Sequence, residues 1–332
     1  MSINPELHVP PGSDDWKKVA LAMQKSHRSV TYISNRVGVA EDKVREFFVK
    51  EKLKDKTKAD AKSNFKVCEN LEPNLYKPYW NGNHVLTFGL MGDTQINSKY
   101  TQLTYLHQFY DVCARRGVPD VYHTGDIDEG EKMRPGHQYE CYHQGVDDHT
   151  AEIVRVYPKR DGVRTHFITG NHDASIYKLC GLDIGNLIAG KRDDMHYLGR
   201  DCAKVNLTPN CVLELRHPWD GTAYALSYKP QKMIDAMEPD SKPNILAIGH
   251  YHKLEYLFRR SIHCFQTGCF QTQTPFTRGK GIDIAMGGWI ITIEVDANGY
   301  IQRIIPEMIP FYKGIVDDYK NWDGSDGSKK LF

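Results

Sequence analysis

The sequence predicts an α/β fold, a layered domain of packed sheets with helices outside, preceded by a small all-α domain. Two observations carry this. Up to about residue 53 apolar residues recur with a helical period, and from His84 onward short apolar runs alternate with helical stretches. The early runs are continuous and apolar, as in parallel strands buried on both faces, while the later ones alternate more. A third observation bears on chemistry: five of the strand candidates end directly in residues that ligate metals.

The composition sets the frame. At 332 residues the chain exceeds one average domain and can bury a sizeable core. A net charge of +1 names no partner. No stretch approaches the roughly 20 apolar residues of a membrane span, and the amino terminus lacks a basic-then-apolar leader. The eight cysteines are scattered, with no CxxC pair, so neither a disulfide framework nor a cysteine zinc site is expected. A reducing, cytoplasmic setting with no membrane association follows as the expectation.

Residues 1–14, rich in Pro, Gly and Ser, read as a flexible lead-in. Residues 15–55 read as three short helices. "DDWKKVALAMQKS" carries Asp14 or Asp15 as a cap, and "VTYISNRVGVAEDKVREFFVKEKL" is a helix, a turn at Gly38 and a second helix bearing Val44, Phe47 and Phe48. That arrangement resembles a helix-turn-helix domain. Residues 56–83 read as a linker or small appendage, 84–312 as the main domain and 313–332 as a tail whose last stretch, "YKNWDGSDGSKKLF", looks disordered. Strands are expected at "HVLTFGLM", "DVYHT", "RTHFIT", "CVLELR", "NILAIG", "SIHCFQ" and "GGWIITIEV". Helices are expected within 99–116, 145–157, 183–190 and 230–237.

The polar residues fall where these strands end. "GLMGDTQ" gives Asp93 and Gln95, "YHTGDIDEG" gives Asp126, "FITGNHD" gives Asn171, His172 and Asp173, "LELRHP" gives His217, and "AIGHYH" gives His250 and His252. In an open α/β sheet, positions just past the carboxyl ends of strands converge on one crevice. In extended chain, residues i and i+2 point the same way, so Asp93 with Gln95, and His250 with His252, would each present two donors together. Singly, these residues have ordinary readings as turn formers, caps or packing groups. Together, two Asp, an Asn, a Gln and three His suit manganese, iron or zinc, and exceed what one tetrahedral ion needs. They fit two cations about 3.5–4 Å apart sharing a carboxylate, an arrangement that hydrolyses phosphate esters.

The order D-x-[H/Q], GD, GNHD, H, GHxH resembles the calcineurin-like metallophosphoesterase superfamily, over about residues 84–312. The resemblance implies the layered metallophosphoesterase fold, two packed mixed β-sheets flanked by helices, and two divalent ions, manganese first, with iron, zinc or nickel as alternatives. It implies that Asp93, Gln95, Asp126 and His252 hold one ion, and Asp126, Asn171, His217 and His250 the other. His172 would be the catalytic, non-ligand histidine, held in position by Asp173. Water activated between the ions would attack phosphorus while His172 assists the leaving oxygen.

Two departures matter. Most of the superfamily has His where this chain has Gln95; a neutral amide oxygen predicts weaker binding at the first site, a preference for harder ions and less dependence on pH. In "GDIDEG" the usual acid is Glu129, with Asp128 an extra carboxylate beside it. The Ser/Thr phosphoprotein phosphatases carry GDxVDRG and GNHE, where this chain has GDIDEG and GNHD; the GNHD form and the late GHxH are more similar to the DNA-repair nuclease branch. That branch usually holds a coiled-coil ATPase partner through later sequence, of which only about twenty residues follow 312 here, so action without that partner is expected.

The expected function is therefore a metal-dependent phosphodiesterase on DNA. A phosphomonoesterase on nucleotides or phosphoproteins is the enzymatic alternative. A DNA-binding or scaffold protein with a decayed metal site is the alternative of another class. For DNA contact, Trp16 to Lys58 holds twelve Lys or Arg against five Asp or Glu, with Lys43, Arg45 and Lys50 the candidates. Glu41 and Asp42 count against it, since they suit the helix dipole but repel phosphate. Arg134, His137 and Tyr139, in a segment expected to roof the site, are further candidates, as is the basic loop "TQTPFTRGKG". A protein partner or homo-oligomer stays open.

Overall fold

The computed structural model describes residues 30–48, 75–322 and Gly324, together with Trp16, Lys17 and Ala20. They belong to two compact units divided between Leu71 and Glu72. In the first, α1 (Val30–Val37) ends at Gly38, whose φ of +66° turns the chain into a second helix, α2, over 41–48. Gly38 N–H closes on the Ser34 carbonyl at 3.0 Å, and Ser34 Oγ donates to the Val39 carbonyl at 2.7 Å. Ala20, Ile33, Val37, Val44 and Phe48 form a small core, with Trp16 packed edge-on to Phe47. Lys43 and Arg45 are exposed, Arg45 pairing with Glu41; Lys50, the lead-in 1–14 and most of 56–83 lie outside the described residues.

Among its described residues the second unit has twelve strands in two six-stranded sheets. In chain order they are β1 (Leu75–Tyr76), β2 (Val85–Met91), β3 (Asp120–His123), β4 (Arg164–Thr169), β5 (Met195–Arg200) and β6 (Cys202–Thr208). Then come β7 (Cys211–Arg216), β8 (Ile245–Ile248), β9 (Leu254–Arg259), β10 (Ile262–Thr267), β11 (Met286–Val295) and β12 (Ile301–Phe311). One sheet runs β12-β11-β2-β3-β4-β5, with β2 to β5 parallel and β11 antiparallel on β2. The other runs β1-β6-β7-β8-β10-β9, with β7, β8 and β10 parallel. The layered α/β architecture expected from the sequence is the observed one.

Alternation along each strand sends side chains to two cores. Phe88 and Leu90 of β2 meet Leu213, Leu215, Ala247 and Phe265 between the sheets. Met91 faces the other way, where the helix α3 (Leu103–Arg115) buries Leu103, Leu106, Phe109, Tyr110 and Cys113 at helical spacing. The helix α4 (Val146–Val156) adds Ile153 and Val156 to that core. The short helices α5 (Asp173–Cys180) and α6 (Ile184–Ala189) follow β4. On the far face of the second sheet, α7 (Tyr228–Asp235) buries Ile234 against Leu246, Ile248 and Cys264. No described helix is long and apolar enough to cross a membrane.

The seven expected strands are present to within about a residue, but β1, β5, β6, β9 and β12 lie outside the expected runs. β12 holds Pro306 and Pro310, which argue against a strand unless it lies at a sheet edge, and an edge is where it runs. The expectation of a disordered stretch from Tyr319 is corrected as far as Trp322. The helix α9 (Asp318–Asn321) docks through Tyr319, which stacks on Tyr142 and hydrogen-bonds Glu152, and Trp322 packs on His107. Its aromatic anchors outweigh a polar, Gly-rich composition.

Candidate metal centre

The five motif segments leave the carboxyl ends of β2, β3 and β4 in one sheet and β7 and β8 in the other, and they meet across the rim of the sandwich. Asp93 is fully buried; its carboxylate accepts the His250 backbone N–H at 3.0 and 2.9 Å and lies 3.3 Å from His252 Nε2. Asp126, 1% exposed, is the hub. Its oxygens accept the His172 backbone N–H at 2.8 Å, lie 3.1 Å from His217 Nε2, and accept Gln95 Nε2 at 3.3 Å. Asn171 Oδ1 lies 3.0 Å from His217 Nε2. Asp126, His217 and His250 bring ligand atoms within 4.8 Å of one another.

The donors are not presented as expected. Asp93, Gln95, Asp126, His250 and His252 all have φ between +49° and +75°, so left-handed turns aim them in place of extended chain. The chain must reverse sharply at each strand end to reach a common centre, and Asp and His tolerate this region better than most residues. Closeness also demands glycine. A Cβ on Gly170 would stand 2.6 Å from His217 Nε2, and closer still to Asp126 Oδ1.

Three features of these residues fit divalent cations. His217 Nδ1 lies 2.7 Å from the Thr124 carbonyl, an acceptor that fixes the proton there. Nε2 then points its lone pair at two more acceptors, Asp126 and Asn171. Three acceptors facing one another require a cation, a proton or a metal, between them. His250 Nε2 likewise rests on the Asp220 carbonyl at 2.7 Å, leaving Nδ1 as its ligand atom. Lastly, Gln95 Oε1 is buried and accepts no hydrogen bond from the described residues.

The electrostatics agree. Burial pushes the His217 imidazole down, but Asp126, Asp93 and the Thr124 carbonyl outweigh it and lift it from 6.5 to about 9. Burial and the neighbouring His217 lower His250 to about 4, so it is a neutral imidazole at neutral pH. Burial would raise Asp126, yet His217 and His172 hold it well below the usual carboxylate range. Burial and Asp126 raise Asp173 well above that range.

Two predictions follow from these groups. The proton on His217 stabilises the metal-free fold fully below pH 6.5, and this contribution is lost as pH rises through about 9. Counted once for the His217–Asp126 pair it is on the order of 3 kcal/mol. Thermal unfolding with a chelator should therefore show a falling Tm between pH 6.5 and 9.5, while added manganese should raise Tm more at pH 9 than at pH 6.5. Gln95→Glu adds a charge beside Asp126 and should destabilise the metal-free fold by about 1–3 kcal/mol, or about 2–8 °C. Manganese should return more than that loss, read as a larger metal-induced Tm rise than in the parent.

His172 lies at the amino end of α5 with Nδ1 on the Glu129 backbone carbonyl at 2.6 Å. The expected partnership with Asp173 is corrected: the Asp173 carboxylate accepts the backbone N–H groups of Gly170, Asp128 and Ile127 at 2.8, 2.9 and 3.3 Å. It locks the two loops that carry Asp126 and Asn171, and reaches the ring only through that frame. The Glu129 carboxylate is tied to His137 Nε2 at 2.8 Å and to Gln271. Asp128 pairs with His149 at 2.6 Å. Thus His137, expected to touch nucleic acid, is fully buried and braces Glu129 instead. Arg134 lines the cleft, bridged to Glu140 at 2.6 Å, and Tyr139 is exposed.

The centre opens into a cleft of about 410 Å³, lined by Gln95, Asp126, Asn171, His172, His250 and His252, and walled by Trp219, Tyr251, Phe276 and Lys280. A larger cavity of about 830 Å³, between Tyr100, Arg278 and Met308, contains none of the donors. Sequence reasoning missed the orienting carbonyls of Thr124, Glu129 and Asp220, since a backbone oxygen has no residue signature, and missed the aromatic walls. The loop "TQTPFTRGKG" did signal one of them; it forms the short helix α8 (Pro275–Gly279), whose Phe276 and following Lys280 reach the cleft.

Two mixed six-stranded sheets gather D-x-Q, GD, GNHD, H and GHxH at one rim. In motif order the chain resembles the calcineurin-like phosphoesterases. No family model matches it. Among curated proteins it is similar to a DNA polymerase II small subunit of Methanothermobacter thermautotrophicus, 25% identical over 190 residues, 47% of this chain and 39% of that protein. The chain thus spans well under half the length of that relative. Similar solved structures include an archaeal phosphodiesterase with 11% identity and a TM-score of 0.37, covering 68% of this chain and 100% of its own. The phosphoesterase Yfce of E. coli has 13% identity and a TM-score of 0.34, covering 66% and 98%. Vacuolar protein sorting 29 of Cryptosporidium parvum has 14% identity and a TM-score of 0.34, covering 70% and 100%.

Proposed function

We propose that the chain is a metal-dependent phosphodiesterase that cleaves DNA. The observation that carries this is the set of acceptors at the cleft floor: Asp126 and the partly buried Asn171 both face His217 Nε2, which calls for a cation between them, and Gln95 Oε1 is buried without a partner among the described residues. Asp93, Gln95, Asp126 and His252 would hold one divalent ion, and Asp126, Asn171, His217 and His250 a second. Such ions, when bound, supply an acidified water and a positive field for charge growing on the phosphoryl oxygens.

The chain's own groups do the rest. The Glu129 carbonyl fixes one proton on His172 Nδ1, so Nε2 is the atom that would take up a second proton and, as the imidazolium, deliver it to the leaving oxygen. The Thr124 and Asp220 carbonyls fix the tautomers of His217 and His250, so both rings offer a lone pair inward. Manganese suits the mixed imidazole, carboxylate and amide oxygens. A DNA substrate is supported by the similarity to a DNA polymerase II small subunit and by the GNHD form of the motif. The exposed Lys43 and Arg45 of α2 are proposed as auxiliary phosphate contacts.

Hydrolysis of bis-p-nitrophenyl phosphate against the monoester, with manganese, tests the diester reading. Cleavage of the diester and of DNA is expected. Activity on the monoester alone would exclude it.

A further inference from the structure

Two aromatic side chains at the cleft are 41% and 42% exposed, Trp219 and Phe276. Neither exposure helps folding, yet both rings are held. Trp219 Nε1–H donates to Asp201 Oδ1 at 2.7 Å, and Asp201 is itself buried, its carbonyl accepting the His217 N–H at 2.7 Å. Lys178 Nζ stands 4.7 Å from the centroid of the Trp219 ring. Phe276 lies in the first turn of α8, behind Pro275 and capped by Thr274, whose Oγ1 accepts the Thr277 N–H at 3.2 Å. The Arg134 guanidinium stands 4.8 Å from its centroid. Two partly bare aromatic rings, each with a cation over it, therefore flank the donor cluster.

That combination has a known use. Bases of any sequence stack on aromatic side chains, and neighbouring cations follow the phosphates. The cleft volume, about 410 Å³, lies toward the lower end of the roughly 300–1,000 Å³ of small-ligand sites. That volume suits a phosphodiester and one adjoining base better than a paired stack. A base inside a duplex would first have to be unpaired and turned out, at a cost of a few kcal/mol that a single strand does not meet.

We propose that Trp219 and Phe276 form a base-stacking platform that selects single-stranded DNA over duplex. This rests on the phosphodiesterase reading above and names its substrate. The test titrates the full chain, with manganese, against a phosphorothioate octathymidylate, which is slow to hydrolyse, and against a duplex of equal length. Trp emission and fluorescence anisotropy are the readouts. The single strand should quench emission and bind at least tenfold tighter than duplex. Trp219→Leu and Phe276→Leu should each weaken single-strand binding about tenfold, the ordinary loss of one stacked base, with an unchanged circular dichroism spectrum. Trp219→Phe, which keeps a ring, should retain binding while losing the quench. If the parent cleaves DNA but both Leu variants, folded, bind the single strand as the parent does, the platform is refuted and the phosphodiesterase reading stands. Equal affinity for duplex would also refute it. If the parent neither binds nor cleaves DNA, the DNA reading itself fails and the platform with it.

Discussion

Replacing Asp126 by Asn is expected to lower kcat/KM on bis-p-nitrophenyl phosphate by at least about 10³-fold. Asparagine keeps the shape of the side chain and can still accept the His172 N–H, so the loops stay in place. What it removes is the one buried charge shared by the two donor groups, and the anion that holds His217 at about 9. The variant should fold, but with a metal-free Tm lowered by about 5–10 °C at neutral pH through loss of the His217–Asp126 pair, and it should lose the manganese-induced Tm rise. A variant with retained turnover would show that Asp126 is a loop anchor and nothing more.

Gly170→Ala is the second large effect, and it touches no substrate. The added methyl would stand 2.6 Å from His217 Nε2 and closer to Asp126, inside any separation real Cβ atoms show. The loop cannot retreat, because the Gly170 N–H is bonded to Asp173 at 2.8 Å and its carbonyl to the Ala174 N–H at 3.0 Å. Something must move, and the movable groups are the donors themselves. Overpacking of this kind costs about 1–3 kcal/mol, so Tm should fall about 2–8 °C while activity falls at least about 100-fold. Gly279→Ala is the control: it meets no heavy atom within 4 Å and has an ordinary φ, and its Tm should not change.

Much of this was legible in the sequence, for a physical reason. Continuous apolar runs such as "VLTFGLM" have no other home than a buried strand, and a polar residue directly after one must lie at the sheet rim. That logic located Asp93, Asp126, Asn171 and His217 without coordinates. It did not reveal how they are aimed, since left-handed turns at Asp93, Gln95 and Asp126 leave no pattern that extended chain would not also leave. It misjudged Asp173 and His137 because both look like side chains that face a ligand, whereas burial turned them into braces for loops and for Glu129. Edge strands β9 and β12, half-exposed and in one case proline-bearing, lack the apolar signature that marked the central strands.

The central claim is that the acceptors around Asp126 exist to hold cations. Anomalous scattering from crystals grown with manganese tests it most directly. Two peaks are expected, both within ligand distance of Asp126, one beside Asp93, Gln95 and His252, the other beside Asn171, His217 and His250. No peak among these side chains, with His217 still bonded to Asp126 and Asn171 through a proton, would contradict it.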